Sequence, residues 1–181
     1  MSRVPLIKTD EASEDRKAVL NQINGAFGVV PNMFRAVANS PAALKSMWGS
    51  FGALGSGVLG AKLGEKIAVA IADKNRCEYC LAAHTVLGQN AGATAAEMSA
   101  AQAGQSDDAR TAAALRFALK LVANRAQITD ADITEVKNAG FNDEQIVEIM
   151  AHVALNIFTN YVNLAFEVPI DFPKVNLRPA A

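Results

Sequence analysis

The chain has 181 residues, 51% of them apolar and 19% charged, with a formal net charge of −1. That length suits one domain with a full core, and the near-neutral balance lacks the basic surface that nucleic acid asks for. The charged share falls below the roughly 25% of an average soluble chain, a hint of surface covered by other subunits. The N-terminal MSRVPLIKTDEASEDRK carries charges where an export signal needs an apolar core, and no run nears the ~20 apolar residues of a membrane span. The expectation is a cytoplasmic protein with neither a nucleic-acid nor a membrane partner.

A first helix is expected from Ser13 to Phe27, with Val19, Leu20, Ile23 and Phe27 on one face. Pro31 can open a short helix through Phe34, and Pro41 another from about Ala42 to Leu54, since proline fits a first helical turn. The glycine-rich run from Gly49 to Gly64 reads as a fraying helix end and a mobile connection. From Glu65, EKIAVAIADKNR is apolar almost all round, as a buried helix is. CEYCLAAHTVLGQNAG begins the next helix, ending near Gly92, and Thr94 can cap a short one through Ala101.

Ser106, followed by Asp107 and Asp108, makes a good helix start, because acidic groups suit the positive end of the helix dipole. That helix carries Leu115, Ala118, Leu119 and Val122 on one stripe. Thr129 caps a helix that stops at Gly140, and Asn142 with Gln145 resembles a capping box. The long helix it opens carries Ile146, Ile149, Met150, Val153, Ile157 and Tyr161 on one stripe. Val147, Leu155 and Phe158 fill much of the rest, so this helix is expected to be central. Pro169 and Pro173 force an extended tail over 169–181. No alternating run is long enough for a strand, so the fold class is all-α, one domain over 1–181.

The chain has only two cysteines, Cys77 and Cys80, three positions apart. In a reducing compartment such a pair points to catalysis, redox exchange or metal binding rather than a structural staple. On a helix, positions 77, 80 and 84 share one face, so His84 can take the Cys80 thiol proton. A nearby base and a helix N-terminus both favour the reactive thiolate. Cys77 can attack an oxidised Cys80 and close a disulfide. A turn near Asp73–Arg76 would fold the preceding helix back, bringing Glu65 to His84 to orient the imidazole and stabilise its charged form. Zinc is the open alternative, with Glu65 completing a set of four ligands.

The pattern Glu65-x11-Cys77-x2-Cys80-x3-His84 resembles the core motif of the alkylhydroperoxidase D-like (AhpD-like) proteins of the carboxymuconolactone decarboxylase superfamily. The flanking VVPNMFRAVANSP and AGFNDEQIVEIMAHVALNIFTNYVN look similar to the family as well. The resemblance implies an AhpD-like helical bundle in which Cys80 attacks a hydroperoxide, Cys77 resolves it, His84 acts as base and Glu65 relays protons. It implies reduction of a hydroperoxide to an alcohol and a dithiol electron donor. No cofactor beyond a redox-active Cys77–Cys80 disulfide is implied, and no metal. A homo-oligomer, trimer or hexamer, is implied too. The well-known hydroperoxidases of the family carry histidine just before the second cysteine, where this chain has Tyr79, expected to pack beside the thiols in a supporting role.

Two other readings come from different classes: a cofactor-free decarboxylase of a muconolactone-type acid, and a non-enzymatic redox sensor. The C-x-x-C pair speaks against the decarboxylase, which needs no thiol couple. His152 is expected to be a core histidine with one hydrogen-bond partner, and Met47, Trp48 and Phe51 an apolar core cluster. Gly55, Gly57 and Gly60 spell G-x-G-x-x-G, but no strand precedes them as a dinucleotide site requires. They are expected to form a flexible connection that could gate the site.

Overall fold

The computed structural model describes residues 2–179, and among these the regular structure is entirely helical. The helices are α1 (Glu14–Phe27), α2 (Asn32–Val37), α3 (Pro41–Gly55), α4 (Ala61–Lys74), α5 (Glu78–Asn90), α6 (Ala95–Gln102), α7 (Ala109–Ala123), α8 (Asp130–Asn138) and α9 (Asp143–Ala165). Together they form a single domain around one hydrophobic core that includes Leu20, Ile23, Phe34, Leu44, Ile71 and Leu115. The helix that organises this core is α4, which packs against α5, α6, α7 and α9. Its run from Lys66 to Asp73 is buried at every position, so no face of it is left for solvent.

Lys66 is only 6% exposed and donates to Glu97 Oε1 at 2.8 Å. Hydrogen bonds from Lys62 and Lys66 hold the Glu97 carboxyl well below the usual carboxylate range. The other Glu97 oxygen accepts the Thr94 N–H, and Thr94 Oγ1 accepts the Glu97 N–H, so one carboxylate both caps α6 and docks it on α4.

Three expectations change. The run from Gly49 to Gly64 is mostly helical: α3 persists through Gly55 and α4 starts at Ala61, leaving 56–60 as the connection. That connection is pinned, because the Glu148 carboxylate on α9 accepts the Val58 and Leu59 N–H groups, each at 2.9 Å. A Cβ at Gly57 would collide with the Glu148 carboxylate, which would have to move aside. Next, α7 is capped by Asp108, which accepts from Thr111 N–H at 2.7 Å, while Ser106 serves the turn before it by accepting from Asp108 N–H.

The third change concerns α9. Ile146, Ile149 and Val153 are buried, but the same stripe continues with Asn156, Asn160 and Asn163 rather than with Ile157 and Tyr161. Val147, Met150, Phe158, Tyr161 and Leu164 face outward, Tyr161 being 61% exposed. Thus α9 is one-sided, and its inner face turns polar where it meets α5.

After α9 the chain runs extended, as Pro169 and Pro173 lead one to expect; residues 180–181 of that tail lie outside the described residues. Asp171 Oδ2 accepts the Asn32 N–H at 2.7 Å, Asn176 O accepts from Gln102, and Asp73 Oδ1 accepts the Arg178 N–H at 3.0 Å. The tail therefore straps α2, α6 and the end of α4 together. Among the described residues no helix is long and apolar enough to cross a membrane.

Gly57→Ala should displace the Glu148 carboxylate and so cost what its two hydrogen bonds contribute, on the order of 1–2 kcal/mol, a fall in Tm of about 2–8 °C for a domain of this size. Glu148→Ala should cost the same, and the double variant no more than either alone. Thermal melts showing additive losses would refute the coupling.

Candidate active site

The site begins with the way α4 ends. Arg76 adopts a left-handed φ of 60°, Arg76 N–H donates to Asp73 O at 3.1 Å, and Cys77 N–H donates to Ala72 O at 2.9 Å. This is a Schellman closure of α4, with arginine in the position usually given to glycine. The next residue to enter a helix is Glu78, so Cys77 is at once the residue that seals α4 and the N-cap of α5. Cys77 Sγ accepts the Cys80 N–H at 3.3 Å, in the manner of a capping side chain. Both sulfurs thus lie at the positive end of the α5 dipole, and both are buried free thiols.

The reversal lays α5 back along α4. Glu65, near the start of α4, meets His84, in the second turn of α5: His84 Nδ1–H donates to Glu65 Oε2 at 2.7 Å. Burial alone would lower the His84 pKa, but the charge and hydrogen bond of Glu65 outweigh it and hold the imidazole above its ordinary value. His84 is 7% exposed, so the cation it favours is screened little by solvent.

Burial alone would also push the Cys80 thiol up. The hydrogen bond from Cys77, the positive charge of His84 and the amides of Asn163 and Asn160 outweigh that and bring it down to about 7. Cys77 moves the other way, held far above the ordinary thiol value by the neighbouring Cys80 sulfur and by burial. One sulfur of the pair is therefore poised as thiolate and the other as thiol. His84 acts on Cys80 through charge, as no hydrogen bond joins its ring to the sulfur among the described residues.

Asn163 supplies the direct contact that the motif does not contain: its Nδ2–H donates to Cys80 Sγ at 3.2 Å. Asn160, one turn earlier, accepts from Asn75 Nδ2 at 3.0 Å, tying α9 to the turn before Cys77. Sequence reasoning missed both asparagines. The signal was present as three asparagines at positions 156, 160 and 163, in the more apolar half of the helix, a spacing that puts them on one face.

Tyr79 is buried, and its hydroxyl accepts the Met33 N–H at 3.1 Å while its ring meets Phe172 edge-on at 5.7 Å. Burial first, and the charge of Asp171 after it, hold its phenol well above the ordinary value. Tyr79 therefore joins α5 to α2 and to the tail, as a neutral phenol.

His84 separates two cavities. One, about 30 Å³, is apolar and is lined by Cys80, Tyr79, Phe27, Phe34, Phe51 and Phe172. The other, about 70 Å³, adjoins Glu65, His152 and Asn156. Of the expected apolar cluster, Met47 is wholly buried and Trp48 packs on Phe34 at 5.8 Å, whereas Phe51 lines both cavities. His152 departs from the expected satisfied core histidine: its buried Nε2 has no hydrogen-bond partner among the described residues. Gly55 ends helix α3, and Gly57 and Gly60 follow it, so a helix and not a strand precedes the glycine motif. Among the described residues no group of three or more His, Cys, Asp or Glu side chains is arranged to hold a metal ion.

Residues 41–124, from α3 to α7, match the model of the carboxymuconolactone decarboxylase family. No curated protein matches the sequence. Among solved structures, a peroxidase-related protein with an alkylhydroperoxidase AhpD core from Ralstonia eutropha JMP134 superposes with a TM-score of 0.84 at 23% identity, covering 94% of this chain and 92% of that one. A peroxidase-related protein from Silicibacter sp. TM1040 gives 0.82 at 25% identity over 93% and 91%. The debrominase Bmp8 gives 0.79 at 21% identity over 93% and 91%, and a cysteine-to-alanine variant of it is known in complex with 2,3,4-tribromopyrrole.

Removing a donor that favours the anion must raise the pH at which Cys80 ionises. A hydrogen bond to a charged group contributes about 1.5–3 kcal/mol, so Asn163→Ala should shift the midpoint of Cys80 alkylation upward by about one to two pH units. Peptide-resolved iodoacetamide labelling across pH measures this; an unchanged or lowered midpoint would remove Asn163 from the site.

Proposed function

We propose that this chain, as an AhpD-like member of the carboxymuconolactone decarboxylase superfamily, is an enzyme that reduces small hydroperoxides with the Cys77–Cys80 pair. The observation that carries the reading is the opposite poise of two sulfurs at one helix N-terminus, Cys80 down at about 7 and Cys77 raised. A thiolate is the nucleophile, and a thiol beside it is the natural resolving group.

The Cys80 thiolate attacks one oxygen of the hydroperoxide, the O–O bond breaks, and sulfur is oxidised to a sulfenic acid. The leaving alkoxide takes a proton from the His84 imidazolium, which Glu65 holds in place and stabilises. Cys77 then attacks the Cys80 sulfur; the S–S bond forms, and hydroxide leaves as water with the Cys77 proton. A dithiol donor reduces the disulfide and is itself oxidised to a disulfide. Of its two protons, Cys77 takes one and solvent the other, and His84 takes a proton back from solvent, restoring the thiolate–imidazolium pair. No metal and no cofactor beyond the sulfur pair enters this cycle.

The apolar cavity at Cys80 has about 30 Å³ of free space, which favours hydrogen peroxide or a short alkyl hydroperoxide over a bulky one. Tyr79 acts in support, by fixing the cavity wall. The chemistry suits a reducing, cytoplasmic compartment that maintains dithiols. The outward apolar residues of α9, Tyr161 and Val147 foremost, support assembly into a homo-oligomer, trimer or hexamer. A second reading, thiol-driven removal of halogen from an aromatic ring, is favoured by the phenylalanine lining and by the fold shared with the debrominase Bmp8, and disfavoured by the small free volume.

Cys80→Ser should abolish peroxide-dependent disulfide formation. Cys77→Ser should instead accumulate a Cys80 sulfenic acid that dimedone captures in about one equivalent. Mass spectrometry of protein titrated with peroxide decides, and full dithiol-dependent peroxide turnover by both variants would overturn the mechanism. Light scattering should give a mass three or six times that of the chain; Tyr161→Glu should reduce it, and a monomeric parent would rule out the assembly.

A further inference from the structure

The second cavity beside His84 is not used by the cycle just described. It holds about 70 Å³ between α3, α4, α5 and α9, enough for a few water molecules. Glu65 and His84 border it on one side, and His152 and Asn156 of α9 on the other. His152 Nε2 and Asn156 Oδ1 are both buried without a hydrogen-bond partner among the described residues, and Asn156 is only 4% exposed. Buried polar atoms are normally satisfied, so two such atoms on neighbouring residues that both line one cavity point to water or another small polar species held between these side chains and the Glu65–His84 pair.

The local structure is shaped for this imidazole. Gly64, immediately before Glu65, lies against it, and a Cβ there would come within 2.8 Å of His152 Cε1. Asn156 Nδ2–H donates to His152 O at 2.9 Å, turning the amide oxygen of Asn156 away from its own helix. The charged or titratable groups that act on His152 are Glu148 on its own helix, Glu65 on α4 and His84 on α5; α3 presents only Phe51, Leu54 and Gly55. Burial keeps the His152 ring below its ordinary pKa, and a neutral ring offers one N–H and one lone pair, as a proton carrier must.

In the proposed cycle His84 gives up one proton and regains one in every turnover, yet it is closed off by burial and by Glu65. We propose that His152 is a positioning residue through which the Glu65–His84 pair exchanges that proton with solvent, along water held in this cavity between His152, Asn156 and Glu65. The inference rests on the proton bookkeeping of the hydroperoxide reading, but the exchange itself requires no peroxide. A proton from solvent passes to His152 Nδ1, the buried Nε2 releases one into the cavity, and no net charge accumulates. Organic substrate would thus meet His84 from the phenylalanine side and protons from the side facing α9.

The test is NMR of reduced protein labelled with 15N-histidine, reading exchange of the His84 ring N–H with water by saturation transfer. His152→Phe, which keeps an aromatic ring against Gly64, should slow that exchange by about tenfold while leaving the His84 chemical shifts in place. His152→Gln, polar but unable to titrate, should slow it as well, and it carries the test alone if the phenylalanine variant does not fold. Exchange as fast as in the parent, in either folded variant, would overturn the proposal. Absence of peroxide turnover in the parent would sink the hydroperoxide reading alone, because this measurement is made without peroxide.

Discussion

Everything at the site depends on how the chain reverses between Lys74 and Glu78. A Schellman closure with Arg76 in the left-handed region seals α4 and, in the same two peptide units, hands Cys77 to α5 as its N-cap. A wider loop would satisfy the connection but would free the sulfur of Cys77 from the α5 terminus. The tight one sets Cys77 against Cys80 N–H and lays α5 back along α4, so that Glu65 reaches a histidine 19 positions later. Left-handed φ at a residue other than glycine costs of order 1 kcal/mol, and the ties around it hold the turn in place. Asn75 bonds to Asn160, Asp73 to the tail, and Arg76 to Arg178 O at 2.6 Å.

Burial opposes charge on both Cys80 and His84. What offsets it is a short chain of neighbours, each supplying part of the stabilisation: Glu65 for the imidazole, the imidazole for the sulfur, and Cys77 and Asn163 as hydrogen-bond donors to the same sulfur. Neutral amides suit this place better than another cation would. A lysine or arginine at 163 would bring its own desolvation cost of several kcal/mol, whereas an amide dipole favours the thiolate and leaves the protonated state tolerable. That balance is what the proposed cycle, with its charged, oxidised and disulfide forms of Cys80, requires.

The partition made by His84 and Phe51 gives the site two unlike sides. Toward Cys80 the walls are aromatic and apolar, a low-dielectric lining that strengthens electrostatic interactions there. Toward α9 they are polar. A histidine between an apolar and a polar compartment can meet an organic substrate and a proton source without bringing bulk water to the sulfur.

The sequence by itself determined what helical periodicity and local capping encode. The spacing of Cys77, Cys80 and His84, the helix caps at Thr94 and Thr129, the capping box at Asn142, and the buried character of the α4 segment all depend on residues within one or two turns of each other. It also located the turn that returns Glu65 to His84, because a buried helix followed by another leaves little room to do otherwise. Only the tertiary structure decided which face of α9 turns inward, since its apolar residues surround the helix and periodicity cannot choose between them. That choice put Asn163 against a sulfur 83 positions away, put His152 beside Gly64, and left Tyr161 outside. It also turned the glycine-rich stretch into helix and pinned loop, since the Glu148 carboxylate that anchors it is some 90 residues distant along the chain. Contacts of that length are set by packing a whole bundle, and no local pattern carries them.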